Sequence, residues 1–187
     1  MWRWQEVTFK VFQVVTSKHK DGKEAKTKTE DGKLDYPIAK AKGNHKYLTN
    51  AADGTANLLG AIFLDYRNES LEDLFVLVYG HDTDNGTMFG PLRTNKAEQL
   101  GDEFIFFGAA NTKFKTKAVL VAIILGETLI NPKDYADFNK REQFYAWLQP
   151  QAIKTANYAL QPEDKLVCLI TCTYERQNAR LLIVTVY

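Results

Sequence analysis

"KLVCLITCTYERQNARLLIVTVY", residues 165–187, contains two apolar runs, 165–172 and 180–187, separated by a short polar segment. Runs of this length, rich in β-branched residues and bounded by polar ones, read as strands. The first ends on Cys172 and the second begins with Arg180. If the two strands are antiparallel neighbours, their ends face each other across "TYERQNA". A thiol and a guanidinium then share one pocket mouth. Side chains alternate along a strand, so Cys168 and Cys172 point to the same side. Four residues span about 13 Å of strand, and a disulfide needs α-carbons within about 7 Å, so both thiols are expected to be free. Cys168, inside its apolar run, is expected in the core.

Working back along the chain, 7–15, 34–41, 60–67 and 74–80 read as further strands, with Pro37 suited to a strand entry. Residues 103–126 read as two strands joined by a turn around Asn111. Residues 139–153 carry Phe144, Trp147 and Leu148 at helical spacing, with Pro150 ending or kinking the helix. A second helix is expected near 94–104, and residues 44–54 read as a loop or a single helical turn. The Lys-rich 17–33 segment has no apolar period and reads as an exposed hairpin or loop. About eight short strands with polar connections indicate an antiparallel barrel or sandwich.

The chain has 187 residues, which fits one domain or one domain with an extra arm. Apolar residues make up 45%, enough for one core. With 24 Lys and Arg against 23 Asp and Glu, net charge gives no reason to expect nucleic acid. The longest uninterrupted apolar run, 118–125, is too short to cross a bilayer, and the first ten residues lack an apolar secretory core. As written, the chain reads as soluble. No zinc spacing of Cys and His and no phosphate-cradling glycine motif is present. A calcium loop opening at Asp82 fails in register, because Gly86 falls fifth and Arg93 twelfth. No metal or cofactor is expected.

Cys172 at a strand end could be a nucleophile or a small core residue. His81 follows the strand 74–80 directly and opens a loop, where a general acid or base is often placed. Arg180 could be an edge-strand charge or the cation beside the thiol, with Arg176 as its competitor. Asp82 and Asp84 flank His81. A carboxylate within about 6 Å would favour the imidazolium. Tyr174 is the lining candidate just past the thiol, and Thr171 just before it reads as structural. Met88 and Phe89 could wall a groove, with the helix around Trp147, or plug the core.

These residues occur in an order that resembles the class B sortases. "CLITC" (168–172) is similar to the family's TLxTC-type signature, and "RLLIV" (180–184) to its Arg-led final strand. "VLVYGHDTDNGTMFGPL" (76–92) is similar to its His loop, and "LDYPIAKAKGNHKYLTNAADG" (34–54) and "GAIFLDYRN" (60–68) to the segments before it. Cys168 stands where the signature usually has Thr. The likeness covers about 34–187. It implies a mainly β fold, a closed antiparallel or mixed eight-stranded sortase-type barrel with one or two peripheral helices. It divides the chain into a catalytic domain, 34–187, and an N-terminal strand and Lys-rich hairpin, 1–33, that is part of the barrel or appended to it. It implies catalysis by Cys172, His81 and Arg180, with Thr171, Tyr174, Met88 and Asp82 as candidates for contact with substrate. The implied reaction cuts an NPxTN-like sorting signal of a secreted surface protein after Thr. The acyl group passes to a peptidoglycan precursor amine or, in a minority of members, a pilin lysine. The implied place is the outer face of the cell membrane, reached through an anchor that this sequence does not contain.

Overall fold

A computed structural model describes residues 34–94, 96–107 and 112–187, together with the backbone of 9–14. The described residues form nine strands: β1 (Phe9–Val14), β2 (Asp35–Ala39), β3 (Ile62–Leu64), β4 (Phe75–Tyr79), β5 (Glu103–Phe107), β6 (Lys113–Leu125), β7 (Ala152–Thr155), β8 (Leu166–Thr173) and β9 (Ala179–Val186). Helix α1 (Gly90–Thr94) is short, and α2 (Phe138–Leu148) is the longer helix. The sheet runs β5-β1-β2-β3-β4-β8-β9-β6-β7, and β5 also pairs with β6. That last pairing joins the two ends of the eight-strand series from β5 to β6, so the eight strands form a ring with β7 beside β6 as a ninth. Most neighbours are antiparallel, while β2–β3 and β4–β8 are parallel.

The long strands are continuously apolar because both of their faces are covered. On β8 and β9 nearly every residue is buried, without alternation. One face joins a cluster with Val76, Val78, Val167, Leu169, Leu181 and Ile183, packed with Phe89, Phe104 and Phe106. The other carries Phe75, Leu77, Cys168, Ile170, Leu182 and Val184, roofed by Phe144, Tyr145 and Leu148 of α2. Burying a side chain such as Phe144 or Leu148 contributes roughly 1.5–3 kcal/mol each. Asp137 caps α2 by accepting from the Lys140 N–H at 3.3 Å, and Pro150 falls in the 3-10 turn Gln149–Gln151 that ends it. Arg141 is almost fully buried and donates to the carbonyls of Tyr135, Ala136 and Pro162.

Several expectations shift in detail. Strand β7, largely exposed on the sheet's free edge, lacks the apolar alternation that would announce it. Strand β3 ends at Leu64 because Asp65 starts a turn, accepting from the Arg67 N–H at 2.9 Å. The helix expected over 94–104 appears earlier, as α1 and a 3-10 turn, Lys96–Gln99, before β5 begins at Glu103. The Lys-rich 17–33 segment and the turn around Asn111 lie outside the described residues.

Candidate active site

Cys172 and Arg180 are direct partners in the β8–β9 ladder. Opposed residues on one face of such a pair have β-carbons about 5 Å apart, well within reach of a guanidinium. His81 arrives from the other side. β4 runs parallel to β8 with Tyr79 opposite Ile170, and the Gly80 N–H continues the ladder to the Ile170 carbonyl at 3.1 Å. Counting on, His81 follows two residues after Tyr79, on the side of the sheet end where Cys172 follows Ile170. Strands β8 and β9 thus pair a thiol with a guanidinium, and the end of β4 delivers the imidazole to the same end of the sheet.

They also share a face. Strand alternation puts Cys172 on the side of Cys168 and Ile170, and Arg180 on the side of Leu182 and Val184. That is the side roofed by α2, and at Cys172 the roof has ended: Cys172 is exposed, whereas Cys168 is buried. Burial pushes the Cys168 thiol well above its ordinary pKa. Both cysteines are free, as the strand geometry requires.

His81 is held from behind. Its Nε2 lies 2.9 Å from the Leu48 carbonyl. A carbonyl only accepts, so Nε2 carries the proton there and Nδ1 is left for chemistry. Gly60 packs against the ring, and a β-carbon added to it would fall 2.9 Å from His81 Cδ2. Gly80 lacks a side chain for a different reason, because the Phe89 ring fills the space where one would go. Beneath the site, Tyr79 shares the face, and Asp65 behind it is fully buried. Burial alone would raise the Asp65 pKa, but hydrogen bonds from the Arg67 side chain and backbone and from Asn44 outweigh it and hold the carboxyl below its usual range. Arg67 reaches on to the Ile130 carbonyl at 2.9 Å, tying down the loop after β6.

The remaining sequence candidates separate. Thr171 lies between the two cysteines, so alternation turns it to the opposite face. It is buried, and its hydroxyl has no hydrogen-bond partner among the described residues. Phe89 is fully buried in the cluster that contains Val76 and Val78 and plugs the core, whereas Met88 is only partly buried against it and also lines a surface recess with Ala51, Asn57 and Gly60. The Asp82 side chain is 1% exposed and forms an ion pair with Arg93, which also holds Asp84. Both carboxylates flanking His81 are therefore taken up by a cation. Tyr174 stays 71% exposed beside the thiol strand. Arg176 donates to the Ile123 carbonyl at 3.0 Å, which leaves Arg180 as the guanidinium opposite Cys172. Trp147 is partly exposed on α2, in a surface recess with Tyr135 and Lys140.

Sequence reasoning passed over two leucines. Leu129, in the loop that follows β6, is 95% exposed, and Leu48, whose carbonyl receives His81, is 39% exposed. The end of β6 pairs with the start of β9, so the loop carrying Leu129 leaves the sheet beside Arg180. Both leucines sit in polar stretches without periodicity, and an isolated leucine there gives no signal. Among the described residues no group of His, Cys, Asp and Glu could hold a metal ion, and no helix is long and apolar enough to cross a membrane.

No family model matches the chain. A sortase B of Listeria monocytogenes is 25% identical over 158 residues, covering 82% of this chain. The chain spans 64% of the length of that relative. Among solved structures, a mutant form of Clostridium perfringens sortase B superposes with a TM-score of 0.78 at 21% identity, over 96% of this chain and 80% of that one. A Streptococcus pyogenes class B sortase involved in pilus biogenesis gives 0.76 at 23% identity, over 97% and 92%.

Proposed function

We propose that this chain, which sequence likeness and fold together place with the class B sortases, is a cysteine transpeptidase acting through Cys172, His81 and Arg180. The observation that carries the reading is the direct pairing of Cys172 with Arg180 on β8 and β9, with His81 two residues past the end of the neighbouring strand β4, at the uncovered end of one sheet face.

The chemistry follows from that arrangement. The Cys172 thiolate attacks the carbonyl carbon of a threonine in an NPxTN-like signal, forming a C–S bond and a tetrahedral oxyanion. The Arg180 guanidinium, planar and always charged, faces that oxyanion. One donor of this kind contributes about 3–4 kcal/mol. The C–N bond breaks as the imidazolium gives the Nδ1 proton to the departing amine. A thioester remains. An incoming amine attacks it, loses its proton to Nδ1, and releases the thiolate. Splitting amide exchange into two acyl transfers lowers each barrier. The apolar rim of Leu48 and Leu129 suits the proline side of the signal.

The acceptor follows the resemblance: a peptidoglycan precursor amine, reached at the outer face of the membrane. The pilus-associated relative makes a pilin lysine the second acceptor to test. The experiment incubates the chain with NPxTN-like peptides and amines, among them oligoglycine, diaminopimelate-bearing peptides and a lysine peptide, and follows products by mass. Expected is cleavage after Thr and an amide with one acceptor class. Hydrolysis regardless of the amine would make the chain a hydrolase. Retained cleavage in Cys172→Ala would end the reading.

A further inference from the structure

Arg93 and Lys96 touch the segments that follow His81 and Cys172. Arg93, on α1, lies 2.5 Å from Asp82 through Nε and 2.5 Å from Asp84 through Nη2. Asp82 directly follows His81. The same guanidinium stands 5.3 Å from the ring centre of Tyr174, two residues past Cys172. Lys96 pairs with Glu175 and lies 3.5 Å from the Thr173 hydroxyl, which itself bonds Glu175. The last described backbone bond from the end of β4 to β8 is Gly80 to Ile170, and the His81 carbonyl turns instead to the Phe89 N–H at 2.9 Å. Past that rung, side chains rather than a ladder set the spacing between imidazole and thiol.

We propose that Arg93 is a positioning residue that ties the His81 loop to the hairpin carrying Cys172 and Arg180, and that Asp82 acts through Arg93 instead of touching substrate. The inference rests on the transpeptidase reading for its kinetic consequences. A buried carboxylate is held only while its cation stays. Only a planar fork can meet two carboxylates and lie against a ring at once, so lysine is a poor replacement. A displacement of about 1 Å between reacting groups costs up to a hundred-fold in rate. Asp82 and Arg93 need touch no reacting atom to matter.

The test uses the full chain with Arg93→Gln, Arg93→Lys, Asp82→Asn and the Asp82→Asn/Arg93→Gln double variant. Expected is a fall in kcat for signal cleavage of about ten- to a hundred-fold in Arg93→Gln, with KM within about two-fold. Lysine should restore only part of it. The double variant should be no slower than the worse single, since both remove one contact. Tyr174→Leu removes the ring contact without stranding a charge. It should lower kcat in the same direction, and it keeps the idea testable if Arg93→Gln does not fold. A second readout needs no substrate: the rate of Cys172 alkylation against pH. Its profile should move in Arg93→Gln, because the imidazole beside the sulfur moves. Wild-type kcat and an unchanged alkylation profile in Arg93→Gln, or losses that multiply in the double variant, would overturn the proposal. If the unsubstituted chain cleaves no peptide, the transpeptidase reading fails by itself and the alkylation profile still decides the tie.

Discussion

Replacing Gly60 with alanine probes how the imidazole is held. Gly60 has φ +60, a left-handed conformation that costs an L-residue about 1–2 kcal/mol. A β-carbon there would lie 2.4 Å from the Tyr47 carbonyl, 2.9 Å from His81 Cδ2 and 3.0 Å from the Leu48 carbonyl. Two of these neighbours are backbone, so the strain has no flexible side chain to absorb it, and overpacking adds about 1–3 kcal/mol. The sum, about 2–5 kcal/mol, lowers the melting temperature by roughly 4–20 °C in a domain of this size. The effect on rate is the sharper one. The Leu48 carbonyl that would be pushed is the one His81 Nε2 bonds, so ring and anchor move together. A shift of about 1 Å predicts a loss near a hundred-fold in kcat/KM for signal cleavage. Gly54→Ala is the control. It has φ +87 and nothing within 4 Å, so it bears the backbone cost without the contacts. Thermal unfolding and steady-state cleavage of both variants separate the two effects. Equal kcat/KM in Gly60→Ala and Gly54→Ala would refute the argument that Gly60 sets the ring.

A thiol reagent at pH 8 should add once to the native chain, at Cys172, and a second time only after denaturation exposes Cys168, as read by intact mass; two rapid native adducts would contradict the buried position of Cys168. Asp65→Asn should lower stability most near neutral pH. Because the folded pKa lies below the ordinary 3.8, the carboxylate's contribution is present above that value and fades as pH falls through the depressed folded value. Urea unfolding at a series of pH values should therefore show the gap between wild type and variant closing in acid, and a gap that widens there would reverse the sign. Arg141→Met strips three carbonyls of their donor and should cost about 2–4 kcal/mol in urea unfolding.

The strands that carry the site are legible in sequence because they are extreme: residues 166–173 and 179–186 are buried on both faces except at Cys172 and Arg180, and short β-branched runs bounded by polar residues favour strand over helix. The alternation that sets both thiols on one side holds in the structure. Applied to Thr171, it also explains why that side chain faces away from the site. What local pattern could not supply is the pairing of β4 with β8, about ninety residues apart, because a parallel partner leaves no mark on either strand. Family resemblance supplied the convergence of His81 with Cys172. The partner of Asp82 was hidden for a similar reason. Arg93 falls outside the helix that the sequence pattern suggested at 94–104, so nothing local connects the two.

Cys168 and Cys172 make the controlling variable visible within a single strand. They share a strand and a face, and differ in what lies above them. Over Cys168, Phe144, Tyr145 and Leu148 exclude water, and an unsolvated thiolate is so unfavourable that the thiol stays protonated and inert. At Cys172 the cover is gone and a guanidinium stands opposite.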